Sequence, residues 1–343
     1  MNIFVTGATG FLGKHLIRRL AGLPQVQMVC LVRKTSDYQE AESLGARIAF
    51  GDVTDKTSVR AGMEGCEVVL HLANLYTYWE PDPRDYYRVN VEGTRNVMEA
   101  VLELGVKKVV HVSSIAAYGN SPDKVLREDS PEGPPPTAYG ASKQEGDRII
   151  WQMYKERGLP VVMVYPGGVS GPGNTRANNA YIRNYLSGKI PARMLEQYEV
   201  GAVDVRDTVE IILRAMEKEG NIGERYLAGN GRTSTGQMNR MLHQVTGRKP
   251  PLMSTPLPVV QLMAKLLTWI ANRTRRPPMW GLSVDQVNAM LYLPLMDGSK
   301  AARELGISYM DIDESLLEEI RWTWDEMQSS AATRKVGKAQ VVK

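Results

Sequence analysis

The chain has 343 residues, 43% hydrophobic and 23% charged, which is enough to build a sizeable core and too apolar for a disordered protein. Two cysteines, Cys30 and Cys66, exclude a disulfide scaffold and a cysteine zinc site, and the four histidines, His15, His71, His111 and His243, are too scattered for a metal cluster. The net charge of +4 is accounted for by the acid-free segment 329–343 with Arg334, Lys335, Lys338 and Lys343, so the basic balance is no argument for nucleic acid.

MNIFVTGATG runs straight into a strand and a glycine turn, leaving no room for a secretory signal, and no apolar run reaches the roughly 18 residues of a membrane span. A soluble protein of a reducing compartment, the cytoplasm, is expected. Asn2–Thr6 is a short apolar run ended by glycine, the pattern of a buried parallel strand. Residues 11–20 have helical spacing; 26–32, Arg47–Phe50 and 67–71 are the next strands. A helix end at Gly105 leads into a fifth strand, 108–113, followed by a long helix over 138–154 and a sixth strand over 161–165. This alternation predicts right-handed crossovers and an α/β, doubly wound parallel sheet over 1–165. After Pro166 comes PGGVSGPG and then mostly helix, with a short strand at 226–228. We expect a smaller, mostly helical substrate lobe over 166–328, the chain crossing back into the core near 200–228, and a disordered basic tail over 329–343.

Residues 225–284 hold no Asp or Glu but nine Lys or Arg, among them Arg273, Arg275 and Arg276. Within them, Gln261, Lys265, Thr268 and Asn272 form a narrow polar stripe on an otherwise apolar helix. Two readings stand: a peripheral membrane contact through 256–276 that admits a lipophilic substrate, or a helix buried between lobes or in a dimer. Monomer and homodimer both stay open.

Gly7, Gly10 and Gly13 form G-x-x-G-x-x-G between the first strand and first helix. Missing side chains let the backbone approach a pyrophosphate, and the helix N-terminus supplies N–H donors. Position makes this a dinucleotide signal rather than a plain turn. The second strand ends Val32-Arg33-Lys34, without the acid that usually holds an NAD ribose. Arg33 can pair with a 2′-phosphate and Lys34 adds charge, so NADP(H) is favoured and NAD(H) is the alternative. Otherwise Arg33 is a plain surface charge. Asp52 and Val53, after the third strand, are placed to meet adenine.

Tyr139 and Lys143 lie at i, i+4 on one helix face. A phenol that titrates near 10 is a poor proton donor at pH 7, and a neighbouring ammonium should lower that value. Tyr185 and Lys189 repeat the spacing, but only Tyr139 follows a strand ending in Ser113-Ser114; the later copy is taken as structural.

TGATGFLG, GDVTD, HLAN, YRVNVEGTRNV, VSSIAAYG, YGASK, PGGVSGPG and VDVRD, in this order over 1–207, make the chain resemble the extended short-chain dehydrogenase/reductases of the NAD-dependent epimerase/dehydratase family. The resemblance implies Ser114, Tyr139 and Lys143 as the catalytic trio, with Lys143 also on the nicotinamide ribose. It implies cofactor contacts from Thr9, Phe11 and Leu12 beside the glycines, from Leu72 and Ala73, and from Pro166 and Val169. Asn90 matches the family's helix asparagine, which is otherwise a packing residue. Sugar-nucleotide dehydratases of the family carry acids where this chain has Ile115 and Ala116, and epimerases carry an RxxNVYGP-like segment where it has Tyr165-Pro166-Gly167-Gly168. Both departures, with Arg33, point to the dihydroflavonol-reductase-like branch, largely NADPH-dependent carbonyl reductases. The chain also resembles that branch's hopanoid-associated epimerase-like proteins. Asn74, Tyr76 and Tyr78, with Tyr118, Gly167 and Gly168 at the mouth, are expected to line an apolar substrate pocket; the aromatics could instead pack the lobe interface. A nucleotide-sugar epimerase with retained NAD and a non-catalytic NADP-binding sensor are the rival functions.

Overall fold

The computed structural model describes residues 1–174 and 177–341. The apolar runs form strands β1 (Asn2–Thr6), β2 (Gln27–Val32), β3 (Arg47–Phe50), β4 (Val68–His71) and β5 (Lys108–Val112). There follow β6 (Val125–Leu126), β7 (Val161–Pro166), β8 (Gly168–Ser170), β9 (Glu199–Asp204), β10 (Arg225–Ala228), β11 (Gly231–Ser234) and β12 (Leu295–Met296). Seven of them make one sheet in the order β10-β7-β5-β4-β1-β2-β3, every pair parallel. Both faces are covered, which is why β7 is buried at all six positions and carries no alternation. One core forms against helices Phe11–Ala21 and Val205–Glu217, the other against Gly93–Leu104 and Ala138–Arg157.

The sheet is a doubly wound Rossmann-type sheet. The chain moves outward from β1 to β3 and then returns to place β4 on β1's other side. The strand order reverses there, and a crevice opens at the carboxyl ends of β1 and β4. Within residues 205–228, Val209, Ile212 and Tyr226 are buried in the main core, and β10 is an edge strand.

The remaining chain makes a smaller lobe, with β8 and β11 on either side of β9 and helices around two small apolar clusters. The last helix is Ile312–Val341. Among the described residues no helix is long and apolar enough to cross a membrane.

Candidate active site

The turn after β1 is built from its glycines. Gly7 has φ +76°, and a Cβ there would lie 2.8 Å from the Ala73 nitrogen at the end of β4. A Cβ on Gly13 would lie 2.1 Å from the Gly7 carbonyl oxygen, so the helix starts this close to the turn only because Gly13 has no side chain. Gly10 caps that helix with no side chain of its own, and the first turn carries no acid. The residues therefore fit a pyrophosphate, which needs close backbone approach and N–H donors. Gly13→Ala is expected to cost about 1–3 kcal/mol of stability, read from a urea denaturation midpoint; an unchanged midpoint would contradict this packing.

A cleft of about 570 Å³ runs from this turn across the ends of the strands. Gly7, Thr9, Gly10, Phe11, Leu12 and Gly13 form its floor. Arg33, Asp52 and Val53 stand at one end, and Leu72, Ala73, Asn74 and Tyr76 line it after β4. Ser114, Tyr139, Pro166, Gly167 and Val169 close the other end. Thr35, Ser36 and Asp37 also line it beside Arg33. We had not expected them from sequence, although two hydroxyls two and three positions after Arg33 were a readable signal. Asp37 is paired with Lys14 at 3.6 Å. Beyond β8, the loop through Asn174 borders the cleft and is tied to the buried Glu319 by Ser170, Gly171 and Asn174, and to His15 through the Pro172 carbonyl at 3.0 Å.

Several expected residues do not line the cleft. Lys34 is exposed and lies outside it. Tyr118 is turned inward by the 3-10 turn Ile115–Tyr118; its hydroxyl donates to the Glu128 carbonyl at 3.1 Å and its ring packs edge-on against Tyr165. Gly168 is held in β8, paired with Ala202. Asn90 sits in a π-helical turn, Tyr87–Glu92, and is 1% exposed. It accepts from the Leu75 N–H at 2.7 Å and donates to the Leu75 carbonyl and the Ser142 hydroxyl. It braces the cleft wall against the Tyr139 helix rather than reaching the cleft itself. Tyr78 lies just behind the wall, its ring edge-on to Tyr76 at 5.7 Å and to Tyr139 at 6.3 Å.

Thr137 caps the Ala138–Arg157 helix by accepting from Gly140 N at 2.9 Å, and this helix carries Tyr139, Lys143 and Asp147 inward on one face. Ser114 and Tyr139 lie together at this end of the cleft, where the Ser114 Oγ accepts from Ala116 N at 3.2 Å. Burial raises the phenol above its ordinary value, with Tyr76 adding to the rise and Ser114 opposing it. The lowering expected from Lys143 is not seen: burial decides the direction, and Tyr76 and Asp147 add to it. Lys143 is 2% exposed, donates from Nζ to the Val112 carbonyl at 3.2 Å, and does not line the cleft. Burial pushes it down to about 8, with Asp147 opposing.

Asp147 was not expected from sequence. It is 3% exposed and accepts from Ser113 Oγ at 2.8 and 2.9 Å. Burial raises its carboxyl to about 6, against the pull of Lys143, Ser113 and Tyr165. His111 lies 4.0 Å away and stacks on His71 at 4.9 Å. Burial holds both imidazoles well below their ordinary value, so they are neutral. Charge in this layer therefore rests on Lys143 and Asp147, one helical turn apart.

The model of the NAD dependent epimerase/dehydratase family matches residues 3–229. Sterol demethylase protein B of Methylococcus capsulatus is 31% identical over 94% of this chain and 98% of that protein. A putative dihydroflavonol 4-reductase of Synechocystis sp. is 29% identical over 93% of each. The solved UDP-glucuronic acid 4-epimerase of Bacillus cereus, in complex with UDP-glucuronic acid and NAD, superposes with a TM-score of 0.74 at 22% identity, covering 95% of this chain and 99% of that one, which speaks to fold alone. With the glycine turn, the Ser–Tyr–Lys residues and these matches together, the chain belongs to the NAD dependent epimerase/dehydratase family, as an extended short-chain dehydrogenase/reductase.

Proposed function

We propose that the protein is an NADP(H)-dependent oxidoreductase that interconverts a carbonyl and a CH–OH group on an apolar ring or isoprenoid compound of sterol-like character. The observation that carries this reading is the Ser114–Tyr139 pair at one end of the cleft, backed by the Tyr76 and Tyr78 rings. Aromatic walls suit hydrocarbon better than the many hydroxyls of a sugar. Family membership supports carbonyl and alcohol chemistry with a nicotinamide cofactor, and the names of the sterol- and flavonol-related relatives favour ring substrates.

The cofactor, when bound, supplies or accepts hydride. The chain does the rest. The glycine turn would hold the pyrophosphate, and Arg33 with the Thr35 and Ser36 hydroxyls would hold the 2′-phosphate. Ser114 holds the substrate oxygen. Burial keeps Tyr139 protonated, which is the form an acid needs, so it can give its proton to that oxygen as negative charge develops there. Ser114, beside it at the cleft end, would then steady the phenolate. Screening apolar ketones and aldehydes with NADPH and NADH tests the reading: reduction of an apolar carbonyl supports it, and turnover of UDP-sugars alone overturns it.

The Lys143–Asp147 pair gives a pH prediction. Lys143 works charged, so kcat/KM for reduction is expected to fall as pH rises through about 8. In Asp147→Asn the carboxylate that favours the charged lysine is gone, so Lys143 loses its proton at lower pH and the alkaline limb moves down. A pH–rate profile checks this; a limb that stays in place or moves up contradicts it.

A further inference from the structure

The helix Leu257–Thr274 has three faces. Val260, Ala264, Leu267 and Ala271 are buried, the first three in one cluster with Leu195 and Leu282. Beside them runs the polar stripe, half of it engaged internally: the Thr268 hydroxyl oxygen accepts from Val284 N at 3.0 Å, and Asn272 Oδ1 accepts from Trp79 Nε1 at 2.8 Å. The third face is apolar and open. Leu262, Leu266 and Trp269 are 68%, 56% and 59% exposed, and Val259 and Ile270 lie alongside them. At about 100° per residue these five positions fall within one arc of about 100°. Leu252 and Met253 before the helix and Met279 after it are exposed as well. The open helix face is an apolar surface of the kind that soluble proteins seldom leave uncovered without a use.

The charge around it has one sign. Lys265, Arg273, Arg275 and Arg276 are exposed, and the Arg273 guanidinium lies 5.9 Å from the Trp269 ring centroid. Asp82 is an acid in reach of Arg275, and Arg84 already holds it in three hydrogen bonds of 2.7, 2.9 and 3.1 Å. A two-fold contact through this face would set the same cations against each other, with no acid in 225–284 to pair them. We propose that this face docks on an anionic lipid bilayer, with Leu262, Leu266 and Trp269 entering the interface and the arginines meeting headgroups.

The helix also touches the substrate side of the site. Asn272 holds Trp79, and Ser283 Oγ donates to the Tyr78 carbonyl at 2.7 Å. Tyr76, in the same segment, lines the cleft. A docked molecule would therefore bring this wall to the lipid surface, where a sterol-like substrate is dissolved. That use rests on the function proposed above; the contact itself does not, and its test involves no turnover.

The full chain is mixed with vesicles of phosphatidylcholine plus phosphatidylglycerol, or of phosphatidylcholine alone, and sedimented at low and high salt. Binding to the anionic vesicles at low salt, weakened by salt, is expected. It should fall at least about tenfold in Leu262→Glu/Trp269→Glu and at least about tenfold in Arg273→Gln/Arg275→Gln/Arg276→Gln. Far- and near-ultraviolet circular dichroism confirms that each variant is folded. No binding at low salt, binding indifferent to the three arginines, or a dimer in sedimentation velocity that Leu262→Glu dissolves would overturn the proposal.

Discussion

Replacing Tyr139 by Phe is expected to lower kcat for carbonyl reduction by about 10²–10⁴-fold while leaving the cofactor Kd within about twofold. The phenol adds nothing to cofactor binding that the ring does not, because its hydroxyl stands beside Ser114 at the end of the cleft where substrate charge would develop. The ring, 3% exposed and edge-on to Tyr76 at 5.1 Å, keeps its packing in the variant. Tyr185, the second tyrosine with a lysine four residues on, supplies the control. Its hydroxyl donates to the Arg248 carbonyl at 2.7 Å, inside the smaller lobe. Tyr185→Phe should lose that bond, at about 1 kcal/mol of stability, and keep its turnover. A dead Tyr185 variant beside an active Tyr139 variant would reverse the assignment.

The second large effect is on cofactor choice. Arg33→Asp is expected to weaken NADPH binding at least about tenfold, or about 1.4 kcal/mol, and to leave NADH binding unchanged or tighter. A positive partner for the 2′-phosphate is lost and a negative one takes its place. Arg33 is exposed at the cleft edge, so the difference should shrink as salt is raised. Asp37 lies on the same edge, but Lys14 balances its charge. Titration of each cofactor by nicotinamide fluorescence measures this. Equal affinity of the unmutated protein for NADPH and NADH would remove the role given to Arg33.

These residues could be named from sequence because each belongs to a local pattern. The glycine turn is a run of seven residues fixed by backbone approach, and Tyr139 and Lys143 share one helix face. The parallel sheet was legible for the same reason, since strands buried on both faces are continuous apolar runs. What escaped depends on contacts between distant segments. Ser113 meets Asp147 across 34 residues, and Glu319 meets Ser170 across 149. Asp147 did carry a signal: with Tyr139 and Lys143 it completes an i, i+4, i+8 line of polar side chains on the helix face that turns inward. Tyr118 misled because its sequence neighbours are site residues, whereas one 3-10 turn is enough to swing it into the core. Asn90 is placed by a π-helical turn, and no periodicity in the sequence announces one. The Leu257–Thr274 helix has one buried face and one open face.

The proposed chemistry requires hydride to leave the cofactor for good in each turnover. The most direct measurement uses NADPH deuterated at the reactive nicotinamide carbon, an apolar ketone found in the screen, and mass spectrometry of the product. The account predicts deuterium on the carbinol carbon and one NADP⁺ formed per alcohol. Purified protein that carries NAD it does not exchange, and that inverts a sugar-nucleotide centre without consuming NADPH or taking up deuterium, would contradict it.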